Sequence, residues 1–256
     1  MNNYYSQFGE DEILNRIFSN KESGFCIEIG ANDGKTGSNS LFFEKKGWTT
    51  LLVEPNPSLC EIIKKTRSAF LYECGVADKN GRGTLYVAVG DDGAHGVSMI
   101  AERDIAEKKI ASFGFNYYPV DVKIMRLDDI LVDVNINKKI DFISIDVEGG
   151  ELEVLKGFDL LRWSPTILII EDNSNLEDRA VRCLMGKNGY VRFKRTVVND
   201  WYVKKSEMKE IAKMTDFIKL FFNTLYIKMR KFVYKHRYTI FLKNLYDKTF
   251  NLHSNV

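Results

Sequence analysis

A chain of 256 residues can enclose one full hydrophobic core with an appendage, and 45% apolar with 28% charged residues is the balance of an ordinary folded domain. The formal net charge of +2 is too small to argue for nucleic acid, and the longest apolar stretch, residues 217–227, contains Lys219 and is too short to span a bilayer. The charge is uneven: residues 206–256 hold ten Lys/Arg against four Asp/Glu, a balance of +6, which leaves −4 on residues 1–205.

The chain opens on MNNYYSQFGEDE, without a basic-then-apolar leader, so the cytoplasm is the expected compartment, with the inner face of the membrane within reach of a basic tail. Cys26, Cys60, Cys74 and Cys183 form no C-x-x-C pair. A first helix over about 8–19 places Ile13, Leu14, Ile17 and Phe18 at helical spacing. Short β-rich runs at about 25–29, 50–54, 69–74, 140–145 and 166–171 then alternate with helical patterns at about 38–46, 57–67, 150–157 and 175–187. This is the signature of a parallel α/β sheet with crossover helices. Asn80-Gly81 predicts a two-residue hairpin turn, and residues 91–118 read as a long irregular insertion that would cover a substrate. Residues 189–205 alternate like an antiparallel pair closing the sheet, and 206–256 form a basic, aromatic helical extension.

Gly30-Ala31-Asn32-Asp33-Gly34-Lys35-Thr36 resembles a P-loop but has three residues between its first Gly and the Gly-Lys-Thr where a P-loop has four. Asn32 also breaks G-x-G-x-x-G. Glu28 and Asp33 flank the turn and would repel polyphosphate; they suit a cofactor with a cationic amine and ribose hydroxyls, such as S-adenosylmethionine (SAM). Glu54, at the end of the second strand and followed by Pro55, stands where an acid accepts from both ribose hydroxyls. Cys74-Gly75-Val76-Ala77 is small and apolar enough to lie along an adenine face.

The stretches YSQFGEDEIL, IEIGANDGKTGSNSLFFEKKGW, LLVEPNP, ISIDVEGGELEVLKG and ILIIEDN, in that order from Tyr5 to about Asn173, resemble the FkbM-type family of SAM-dependent O-methyltransferases. The resemblance implies a class I Rossmann-like domain with a mostly parallel seven-stranded sheet closed by an antiparallel hairpin. It implies SAM as methyl donor and a hydroxyl of a sugar, other glycan or secondary metabolite as acceptor. Carried over by residue, Gln7, Glu28, Gly30, Asn32, Gly34, Ser38, Asn39 and Glu54 would form the cofactor side, and Asp146 would sit where the methyl group meets the acceptor. The 206–256 extension matches nothing in the resemblance.

A sugar hydroxyl needs a base, or a metal that acidifies it, as the methyl group arrives. Asp146-Val147-Glu148 follows the fourth strand and Glu171-Asp172-Asn173 the fifth, so both acidic clusters fall at one sheet edge. Oxygen ligands of this kind suit Mg²⁺ or Mn²⁺. Asp146, Asp172 and Asn173 also resemble the ion-holding pattern of catechol O-methyltransferase, with Glu171 as the alternative to Asp172 if the strand register differs. His95, in the insertion, is a second candidate base, and Glu148 a third catalytic acid. The expected activity is methylation of a nucleotide-activated or surface-glycan sugar. The expected partners are that small-molecule or glycan acceptor, no nucleic acid, a homo-oligomer or a peripheral membrane contact through 206–256.

Overall fold

The structure is a computed structural model that describes residues 3–90, 94–174 and 176–230. The chain runs α1 (Glu10–Ile17), β1 (Phe25–Ile29), α2 (Leu41–Lys45), β2 (Thr49–Val53), α3 (Pro57–Thr66) and β3 (Phe70–Tyr72). A second group follows: β4 (Gly75–Val76), β5 (Gly81–Val89), a 3₁₀ turn (Ala94–Val97), β6 (Met99–Ile100), α4 (Arg103–Ser112) and β7 (Asn116–Met125). Then come α5 (Leu127–Val134), β8 (Phe142–Ile145), α6 (Glu151–Lys156), α7 (Leu160–Trp163), β9 (Ile167–Glu171), α8 (Ala180–Lys187), β10 (Tyr190–Thr196), β11 (Asn199–Lys204) and α9 (Met208–Ile211). A separate compact unit begins at Lys213 and holds a helix over residues 214–230.

The main sheet has the order β10-β11-β9-β8-β1-β2-β3, with β1, β2, β3, β8 and β9 parallel and β11 antiparallel to both neighbours. The expected seven-stranded sheet closed by a hairpin is therefore present. Its central strands are buried on both faces, so they read as continuous apolar runs. Phe25, Ile27 and Ile29 of β1 enter the larger core with Ile130, Leu131, Val154 and Met185. The period of two sends Glu28 to the opposite face. In α3, the Asn56 side chain accepts from the Ser58 N–H at 3.1 Å and Pro57 fills the first turn, which fixes where the helix starts.

The N-terminal GED triplet has a packing role. Buried Glu10 accepts from Thr196 Oγ1 at 2.6 Å and Asn199 Nδ2 at 3.0 Å, tying α1 to the β10–β11 turn. Asp11 accepts from the Ser6 hydroxyl at 2.6 Å and closes the preceding turn.

Two expectations are corrected. Asn80-Gly81 is not a hairpin turn: β4 and β5 both pair with β7, parallel and antiparallel, and Gly75 and Gly81 both face Ile124 in register. The Asn80 side chain instead accepts from the Arg126 N–H at 2.7 Å and donates to Asp129 at 2.7 Å. Nor is 91–118 an irregular loop. It carries β6, α4 and the start of β7 within a second, four-stranded sheet of order β4-β7-β5-β6. The β5–β7 ladder extends over all of β5, and Leu85, Val87, Val122 and Ile124 form its own small core. Alternation of Val120, Val122 and Ile124 with Asp121 and Lys123 is the strand signal in that stretch.

Gly30 joins the loops at the sheet edge. Its φ is +81°, and a Cβ there would lie 1.7 Å from the Asp146 carbonyl oxygen. Gly47 has φ +93° with open space around it. Gly47→Ala should therefore cost only the left-handed backbone term of about 1–2 kcal/mol. Gly30→Ala should cost at least about 4 kcal/mol, a fall in Tm of roughly 8–16 °C. Thermal melts of both variants check this; equal falls would show that the two loops are not in contact.

Candidate functional site

In the sheet register, Val53, Ile29, Ile145 and Ile170 lie side by side across β2, β1, β8 and β9. The residues that follow them are Glu54, Gly30, Asp146 and Glu171, so all four occupy the carboxyl edge where α/β sheets bind ligands. Two cavities open there. The larger, about 350 Å³, is lined by Gly30, Asn32, Glu54, Pro55, Gly75, Val76, Asp146 and Glu148. Its far wall is the second sheet, through Arg82, Leu85, Ser98, Met99 and Ile100. The smaller, about 170 Å³, is lined by Lys109, Glu151, Glu171, Asp172, Asn173, Arg182, Arg192 and Tyr202.

Glu54 is built into the larger cavity by two backbone hydrogen bonds. Oε2 accepts from the Asn32 N–H at 2.9 Å, and Oε1 from the Asn56 N–H at 2.8 Å. Asn32 reaches this position with φ +52°, a conformation Asn tolerates better than most residues. Burial pushes the Glu54 carboxyl up to about 7, against the lowering effect of the two N–H groups. Each carboxylate oxygen keeps a lone pair free, the requirement for receiving two ribose hydroxyls. The charged lining comprises Glu54, Asp146, Glu148 and Glu153 against Arg82, which is already paired with Asp121. Such a surface repels a pyrophosphate and suits a cationic sulfonium bearing an amine. The residues therefore fit SAM.

Several sequence-assigned cofactor residues lie elsewhere. Gln7, Glu28, Ala31, Gly34, Ser38 and Asn39 do not line the cavity. Glu28, on the far face of β1, accepts from Ser38 Oγ at 2.7 Å and the Asn39 N–H at 2.7 Å, and also from Ser40 Oγ. Arg67 reaches into the same network, donating to the Gly34 carbonyl and to Ser40 Oγ. Asp33 is taken up by its own turn, accepting from the Lys35 and Thr36 N–H groups at 2.8 and 2.7 Å. The two carboxylates that suggested a cationic cofactor thus hold the loop, while the acids of the cavity itself carry that chemistry.

Asp146, Glu148 and Glu171 converge, each offering an oxygen within 4.8 Å of the others. Asp146 keeps solvent access through its cavity yet is closely surrounded by protein. Its carboxyl is raised by that burial, then by Glu148 and Glu151, while a hydrogen bond with Glu171 acts the other way. Glu171 is raised further, by burial first and by Asp146 second. The charge of Asp146 disfavours ionisation of Glu171, the more strongly raised of the two. Glu148 has φ +59°, and Lys109 of α4 donates to its Oε2 at 2.7 Å and its carbonyl at 2.9 Å. Glu151 caps the same loop, accepting from the Gly149 N–H at 3.0 Å.

Of the two neighbouring acids at the end of β9, Glu171 is the one that approaches Asp146 and Glu148. Asp172 points away: it accepts from the Ser174 N–H at 2.9 Å and pairs with Arg195 at 3.3 Å, so it does not join the cluster. Asn173 contributes by hydrogen bonding to Glu171. His95 falls in the 3₁₀ turn Ala94–Val97, and its side chain lies outside what the structure describes. Lys109, Arg182, Arg192 and the second-sheet wall were not found from sequence, because no local spacing links them to the strand-end motifs.

The sequence profile of the methyltransferase FkbM domain matches residues 28–234. The match begins after YSQFGEDEIL and runs beyond Asn173 to residue 234, into the 206–256 extension for which the resemblance offered no counterpart. Methyltransferase 1 of Beauveria bassiana (strain ARSEF 2860) is 24% identical over 162 residues, 56% of this chain and 61% of that protein, so the chain spans less than two thirds of that relative. Precorrin-6y C5,15-methyltransferase from Geobacter metallireducens GS-15 is a distant structural resemblance, with 11% identity, 76% of this chain, 84% of that chain and a TM-score of 0.35. M. capricolum TrmK in complex with S-adenosyl-homocysteine is another, with 12% identity, 78% and 68% coverage and a TM-score of 0.36. With most of its length matched by the profile, and with Gly30, Glu54, Asp146 and Glu171 all inside that match, the chain belongs to the FkbM methyltransferase domain family.

Proposed function

We propose that the protein transfers a methyl group from SAM to a hydroxyl of a carbohydrate. The observation that carries this reading is the approach of Asp146 and Glu171, with carboxylate oxygens within 4.8 Å of each other, at the boundary of the two cavities. Asp146 lines the cavity that suits the donor, and Glu171 lines the other. The second cavity is lined by Asn173, Asp178, Arg182, Arg192 and Tyr202, donors and acceptors of the kind that bind a polyol.

SAM supplies an electrophilic methyl group on a sulfonium, and positioning against the acceptor oxygen provides much of the rate. Glu54 would receive the ribose hydroxyls, and Gly30 lets the backbone come close. Asp146 takes the acceptor's hydroxyl proton as the oxygen–carbon bond forms and the carbon–sulfur bond breaks. Protonated Glu171 keeps Asp146 oriented and anionic, and Lys109 balances Glu148. A second reading is favoured by the convergence of three carboxylates: Asp146, Glu148 and Glu171 would hold Mg²⁺ or Mn²⁺, which would acidify the hydroxyl.

Incubating the protein with SAM and a panel of free and nucleotide-activated sugars, with and without EDTA, separates these readings by mass spectrometry. The expected product carries one added methylene unit and forms in EDTA. Product lost in EDTA and restored by Mg²⁺ or Mn²⁺ would move the account to the metal. Absence of product on every sugar, with SAM bound, would overturn the carbohydrate acceptor and leave a non-sugar metabolite or a non-catalytic SAM-binding module.

Asp146→Asn should lower kcat by about 10²-fold or more while SAM still binds. Glu171→Gln, which preserves a donor to Asp146, should retain far more activity than Glu171→Ala. Equal losses in the two Glu171 variants would contradict a hydrogen-bonding role.

Because Asp146 must be ionised to accept the proton and burial raises its carboxyl, activity is absent at low pH. It should appear only as pH rises through a value well above the ~4 of a free aspartate. A pH–rate profile whose acid limb lies near 4 would count against Asp146 as the base.

A further inference from the structure

The helix over residues 214–230 carries a feature that methyl transfer does not use. Met214, Ile218, Phe221, Phe222, Leu225 and Met229 recur at helical spacing and, at about 100° per residue, fall within an arc of about 100°. All six are exposed, each by 43% or more. Phe221 and Phe222 touch edge to face, with ring centroids 5.6 Å apart, and together make a bulky centre to the stripe. Lys219 and Lys228 lie on opposite sides of the stripe. Arg230 packs over the ring of Tyr226 at 5.8 Å, just outside it. Asp216 is the single acid in this helix.

We propose that this helix docks on an anionic lipid surface, lying in the interfacial plane. Two alternatives fit the charge less well. A second copy would bring together two segments that each carry +6 over residues 206–256, which like-charge repulsion opposes. A membrane-spanning segment is not proposed either: among the described residues no helix is long and apolar enough to cross a membrane. An anionic surface satisfies both features at once. The apolar stripe enters the acyl boundary, and the flanking lysines extend their apolar stems and place their ammonium groups among the headgroups.

The test is co-sedimentation of the full chain with vesicles of phosphatidylcholine alone, or with phosphatidylglycerol as roughly a third of the lipid. The wild type should sediment with the anionic vesicles and not with the neutral ones, and less as salt is raised. The double variant Phe221→Glu/Phe222→Glu should lose binding. The triple variant Lys219→Gln/Lys228→Gln/Arg230→Gln should weaken it at least tenfold. All these side chains are exposed, so both variants should keep the wild-type circular dichroism and Tm.

A wild type that ignores anionic vesicles, or binds neutral ones equally, would overturn the proposal. So would light scattering that shows a dimer dissociated by the double Phe variant, since a second copy would then cover the stripe. None of these readouts depends on methyl transfer, so the result stands apart from the activity assay.

Discussion

The site depends on one close approach: the backbone of Gly30 lies against the carbonyl oxygen of Asp146, with no room for a Cβ between them. That contact locks the turn after β1 to the loop after β8 and makes a single wall from two loops. The Gly30 and Ala31 N–H groups both donate to the Val53 carbonyl, at 2.9 and 3.2 Å, which draws in the end of β2. The Asn32 N–H then reaches Glu54. A glycine with positive φ thus helps set the distance between the Glu54 and Asp146 carboxylates.

The electrostatics follow from that geometry. Crowding Asp146, Glu148, Glu151 and Glu171 at a partly dry sheet edge raises the carboxyl groups of Asp146, Glu151 and Glu171, burial being the largest cause for each. Such an arrangement opposes folding and persists because packing fixes the loops that carry it. The second sheet contributes directly, since Lys109 from α4 holds Glu148 in its left-handed conformation. Insertion and strand edge are therefore coupled through one ion pair. The insertion also walls the cavity that Glu54 lines, through Ser98, Met99 and Ile100.

Much of this was legible in the sequence because local patterns sufficed. FCIEI, TTLLV and ILIIE are apolar runs of strand length, and Asn56-Pro57 marks a helix start without reference to the rest of the chain. The register that aligns Glu54, Gly30, Asp146 and Glu171 follows from parallel strands ending together. What misled was side-chain direction. Glu28 stands next to the glycine turn in sequence, but the pleat points it to the face where Ser38 and Asn39 wait. Asp172 and Glu171 are neighbours that point oppositely, and only tertiary contact with Arg195 shows which faces the cluster. The second sheet was missed for another reason: β5 and β7 are separated by a turn, a short strand and a helix, and long-range pairing has no local spacing.

The most direct test of the account is a crystal structure with S-adenosylhomocysteine bound. The predicted result places both ribose hydroxyls on Glu54, the adenine beside Gly75 and Val76, and the sulfur facing Asp146, with Glu28 still bonded to Ser38 and Asn39. A ligand seated away from Glu54, or a sulfur turned away from the Asp146–Glu171 pair, would contradict it.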